Sequence, residues 1–99
     1  MIEQLDKTYD QLKILRNKAT TQEEFEKIRL QMDKINEQRR DILNAAINDS
    51  TEEYKAATAE IKNAQPVIEE AIEDINKIAY AINKVATVIT QIEKVLNKV

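Results

Sequence analysis

From Tyr54 onward, every seventh residue is bulky and apolar: Tyr54, Ile61, Ile68, Ile75, Ile82, Ile89 and Leu96. The series three residues on is equally regular: Ala57, Ala64, Ala71, Ile78, Val85, Ile92 and Val99. Two series at sevens, offset by three, are the a and d positions of a heptad, a spacing that side-by-side helices use. The d series passes from alanine to branched residues. Its early part suits a close neighbour and its later part a thicker core.

Composition closes off the alternatives. Glycine is absent and proline occurs once, at Pro66. Tight strand turns usually need glycine or an Asn-Gly or Asp-Gly pair, and the sequence has none. Most of the dominant residues favour helix. The expected fold is all-α, an antiparallel helical bundle or coiled coil in one domain spanning residues 1–99. Its helices are expected at about 2–19, 22–48 and 51–98, the third long and kinked at Pro66.

The first helix carries Ile2, Leu5, Tyr9, Leu12 and Ala19 at helical spacing, with Arg16 in the intervening slot. The second carries Phe25, Ile28, Met32, Ile35, Ile42 and Ala46, interrupted by Arg39. Each arginine is expected to lay its stem on apolar surface and carry its head to water. Thr21 with Glu24, and Ser50 with Glu53, are capping-box signatures that mark two helix starts; Asp49 is an alternative cap for the second.

Pro66 lies at an outward f position, and the a and d series cross it without a slip. That favours one kinked helix. The alternative is a four-helix bundle with a turn at Asn63–Pro66, where Pro66 would open the fourth helix and the acidic run after it would suit a helix start. A straight third helix would be about 70 Å long at 1.5 Å per residue. Either it folds back on itself or part of it needs another chain.

Catalysis is not expected. Histidine and cysteine are absent, and no glycine-rich loop exists to hold phosphate. No cofactor and no metal site are expected either. Glu69, Glu70, Glu73 and Asp74 cluster, but a di-iron bundle needs a Glu-x-x-His motif. The second helix interleaves its basic residues with acidic ones, and nucleic acid calls for a stripe of one sign, so no nucleic-acid partner is expected. The chain carries a net charge of −3 with 33% charged residues, which suits a solvated, ion-paired surface. The N-terminal stretch lacks a signal-peptide pattern, so a cytoplasmic setting is expected, although leaderless export would leave no mark.

The last helix has one unusual property. Beyond a and d, it places apolar residues at e (Ala79, Ala86) and g (Ala81, Val88, Val95). Four apolar positions in seven exceed the two that a two-stranded seam uses. Such a helix must touch several neighbours. The candidate partner-binding face is therefore Ile75, Ile78, Ile82, Val85, Val88, Ile89, Ile92, Val95 and Leu96. It would serve a homo-oligomer or a helical protein partner, in the manner of an adaptor or chaperone. Two readings compete. A membrane-active, pore-forming-like helix would enter a bilayer interface, and a small inhibitor or immunity-type protein would offer the acidic stretch from Glu52 to Asp74 to a basic target. In being short, glycine-poor and helical, the chain resembles small helical adaptors, secretion chaperones and phage-encoded accessory proteins. Neither that likeness nor the pore-forming one rests on a diagnostic motif, so no functional residue follows from either.

Overall fold

The computed structural model describes residues 1–98; Val99, the last member of the d series, lies outside the described residues. Four helices run α1 Ile2–Lys18, α2 Gln22–Asn44, α3 Glu52–Glu73 and α4 Ile78–Leu96. One 3-10 turn, Ile75–Lys77, joins the last two. The bundle measures about 40 × 20 × 18 Å, which matches a stack of helices 17 to 23 residues long.

The expected long third helix is thus two helices, and the break is not at Pro66. Pro66 sits inside α3 on its exposed side. Its missing N–H frees a carbonyl one turn back, and on that side water can take the bond. The alternative reading of four helices has the right number, but its turn at Asn63–Pro66 is absent, because those residues are helical. The chain reverses at Asp74, whose backbone is extended (φ −134°, ψ 99°). Its carboxylate accepts from the Asn76 amide at 3.2 Å, and its carbonyl accepts from the Lys77 amide at 3.0 Å. Aspartate thereby supplies locally the bonds that a helix would otherwise supply. Glycine is unnecessary, and no described residue has a positive φ.

Caps explain the other boundaries, with one correction. Thr21 accepts from the Glu24 amide at 3.2 Å and opens α2. The start of α3 is capped by Thr51, which accepts from the Tyr54 amide at 3.2 Å. Neither Ser50 nor Asp49 fills that place. Ser50 instead donates to the Asn48 side-chain oxygen at 2.6 Å, folding the link on itself. The second helix also ends sooner than expected, at Asn44, and Ala45 is already extended. An earlier stop leaves seven residues, 45–51, for the connection. At about 3.3 Å each they reach across the end of the bundle.

That reach is needed because α2 and α3 stand at opposite corners. α1 packs against α2 and α3, and α4 packs against the same two. Within each hairpin the helices are antiparallel: Arg39 meets Asp6 at 2.7 Å, and Lys84 meets Glu60 at 3.2 Å. Between hairpins they are parallel. Gln11 reaches Gln65 and Glu69, while Gln31 and Gln38 reach Ile82 and Ile89 in turn.

One apolar core runs through the bundle. Leu5, Leu12, Leu15, Ile28, Met32 and Ile35 line the first hairpin; Ala57, Ile61, Ala64, Ile68 and Ala71 line α3. α3 and α4 make the most extensive helix contact of the bundle, with the small Ala57, Ala64 and Ala71 of α3 and the branched Ile78, Val85 and Ile92 of α4 all buried. On α1 the buried stripe is Leu5, Thr8, Leu12 and Leu15, so Tyr9 and Arg16 turn toward α2. Arg16 lies over the Phe25 ring, 5.5 Å from its centroid.

Candidate association surface

α4 is positioned by two neighbours of different character. Toward α3 it presents Ala81, Val88 and Val95, all buried among aliphatic side chains. Toward α2 it meets amides and charges. Gln31 donates to the Ile82 carbonyl at 2.8 Å. Gln38, fully buried, donates to the Ile89 carbonyl at 3.0 Å and to Glu93 at 2.9 Å. Lys34 also reaches Glu93, at 3.8 Å. A buried amide aimed at one carbonyl and one carboxylate tolerates a single register, and Gln11 does the same at the α1–α3 contact.

The nine residues of the candidate face divide accordingly. Ile78, Val85, Val88, Ile92 and Val95 are buried in the chain's own core. Ile75, Ile82, Ile89 and Leu96 are partly buried at its margin. In α4 the buried stripe therefore consists of d and g positions, whereas in α3 it consists of a and d. The a series of α4 is the surplus.

Beside that margin the helix is uncharged over most of its length. Ala79, Asn83, Ala86, Thr87 and Thr90 are exposed. Thr87 and Thr90 donate their hydroxyls to the Asn83 and Ala86 carbonyls at 3.3 and 3.0 Å, satisfying them within the helix. Glu93, which could have clothed this face, is drawn to α2, while Lys84 points to the other side of the helix and pairs with Glu60 of α3. Tyr80 is 62% exposed, on the solvated side as its f position implies. Between α2 and α4 lies an open cleft of about 360 Å³, lined by Glu23, Glu24, Lys27, Ala79, Ile82 and Asn83 among others.

Sequence reasoning counted Ala79 and Ala86 in the width of the apolar face but left them out of the candidate partner-binding residues. The signal was present, since Ala79 and Ala86 repeat at seven. It passed over Gln38 altogether. Counting by threes from Ile35 reaches Gln38, and counting by fours reaches Arg39; the core takes the first. Arg39 pairs with Asp6 on the next helix.

The acidic run on α3 is dispersed among separate tasks. Glu69 accepts from Gln11, Glu70 lies 3.9 Å from Lys77, and Asp74 closes the turn. Among the described residues, no group of three or more carboxylates is placed to hold a metal ion. Nor is any described helix long and apolar enough to cross a membrane. Compared with models of known families, with curated proteins and with solved structures, the chain matches none of them.

Proposed function

We propose that this chain is a non-catalytic helical interaction protein that self-associates through its C-terminal helix. One observation carries the reading: α4 has more apolar surface than its own bundle covers. Ile82, Ile89 and Leu96 are packed against the core but only partly buried, and the neighbouring Ala79 and Ala86 stand exposed. Completing the burial of a half-covered isoleucine stabilises by about 1 kcal/mol. Small residues alongside allow a second helix to come close. A second copy of the chain is the partner that brings an apolar strip of the same kind, and most soluble oligomers are built from copies.

Sedimentation equilibrium tests this. The wild type is expected to form a dimer or larger assembly at micromolar concentration. Ala79→Glu with Ala86→Glu changes two exposed positions, so it should leave helicity intact and abolish the assembly. A wild type that stays monomeric at every concentration would remove the reading, as would an assembly indifferent to the two glutamates.

A further inference from the structure

We infer that the turn at Asp74–Lys77 is a hinge, and that α3 and α4 straighten into one long helix that exchanges α4 with a second copy of the chain. The inference rests on the self-association reading above and specifies its geometry.

Pattern continuity is the first support. The a and d series run through the turn with no residue inserted or lost: Ile68, Ala71, Ile75, Ile78, Ile82, Val85. A sequence built only for the closed hairpin has no need of this, because α4 buries its d and g positions instead. The chain thus carries two complete stripes on α4. One serves the hairpin, and the other continues α3. They differ by a rotation of about 60°, because a shift of three residues at about 100° each falls short of a full turn by that much.

The turn itself supplies the second support. Asp74, Ile75, Asn76 and Lys77 hold the reversal with short-range bonds: the carboxylate to the Asn76 amide and a single 3-10 turn. All four residues tolerate helix at about 0.7 kcal/mol or less each relative to alanine. Helix already exists on both sides, so straightening only propagates it and avoids the cost of a new nucleus.

The third support is what the straight form would bury. In an antiparallel pair of straight helices, a positions meet d positions of the other copy. Ile75 then faces Ala71, Ile82 faces Ala64, and Ile89 faces Ala57. Each isoleucine that the closed bundle leaves at its margin meets an alanine, a small-to-large fit that packs closely. The marginal strip alone is one helix edge wide, short of the ~800 Å² per partner of a standard stable interface. Exchange of a whole helix reaches that scale, and short connections of this type are the usual sites of such exchange.

A distance measurement separates the two forms. The chain has no cysteine, so spin labels can be placed at Lys55→Cys and Lys94→Cys alone. In the closed hairpin these sites lie side by side. In the straight helix they are about 58 Å apart, 39 residues at 1.5 Å. Labelled chain diluted into unlabelled wild type at dimer-forming concentration should show the long distance. Asp74→Ala with Asn76→Ala should strengthen dimerisation about tenfold. Glu70→Cys with Lys77→Cys, oxidised across the turn, should hold the chain as a monomer until reduced. A dimer whose labels stay close, or a cross-linked hairpin that dimerises like the wild type, overturns the hinge and leaves self-association standing. A monomer with the short distance at all concentrations ends both. The distance is read on a chain with the native turn, so it decides even where the alanine variant fails to fold.

Discussion

α2 and α4 lie side by side and run the same way, yet they are finished differently. The outer face of α2 is dressed in charge. Arg29 is held by Glu26 at 2.9 Å and Asp33 at 3.2 Å, and Lys27 by Glu23 at 3.0 Å. The hydrogen bonds that Arg29 donates to Glu26, and then the Glu26 charge, raise the Arg29 pKa further above its ordinary value. α4 has no such coat. Its outer residues are mostly alanine, asparagine and threonine, with Tyr80 and, near the C-terminal end, Lys94, while Lys84 and Glu93 are spent on neighbours. The ion pairs of α2 keep its outer face solvated although Leu30 and Leu43 stand exposed among them, whereas a face without charges retains apolar surface that water covers poorly.

The comparison can be broken most forcibly at the core stripe. Val88→Asp places an unpaired carboxylate among fully buried aliphatics and should cost upward of about 4 kcal/mol, seen as loss of the folded helical signal. Ile82→Asp, at the margin, should cost about half as much by urea denaturation. The reverse ranking would mean that a and d, not d and g, are the buried positions of α4 in the monomer.

How the two helices keep register is the next question. Gln38→Ala should cost about 1–3 kcal/mol, because it empties a fully buried position and loses two hydrogen bonds. Gln38→Leu should come within about 1 kcal/mol of the wild type while broadening the amide spectra of α2 and α4. Sharp wild-type-like spectra for the leucine variant would show that packing alone sets the register.

A smaller effect checks the link between the hairpins. Thr51→Ala should cost about 1 kcal/mol as a lost cap, and Ser50→Ala less than about 0.5 kcal/mol. Smaller again, Arg39→Ala should cost less than about 1 kcal/mol, since its pair with Asp6 is substantially exposed. On α4, by contrast, changing Ala79 and Ala86 should leave stability unmoved and alter assembly alone.

Helix type, the first two starts and the width of the last helix's apolar face were legible in the sequence. Periodicity reports burial directly, and Thr21 is a local signal. The reversal at Asp74 was not legible, because a pattern apolar at four positions in seven reads as continuous whether the helix is straight or folded back. The unbroken heptad that argued against a turn is compatible with one: the face is wide enough for α4 to change which edge it buries. Pro66 misled for a related reason. Its cost depends on whether the freed carbonyl sees water, and that is a property of the assembled bundle. Gln38 could not be found by composition, since a buried amide is licensed by partners 51 and 55 residues away.

Methyl cross-saturation between a protonated copy and a deuterated, isoleucine- and alanine-labelled copy tests the central claim most directly. The account predicts attenuation at Ile82, Ile89, Ala79 and Ala86 of α4, and, where α4 is exchanged, also at Ile28 and Ile35 of the helix that α4 covers. Attenuation confined to the methyls of α1 and α2, or none at concentrations where the wild type should be assembled, would contradict it.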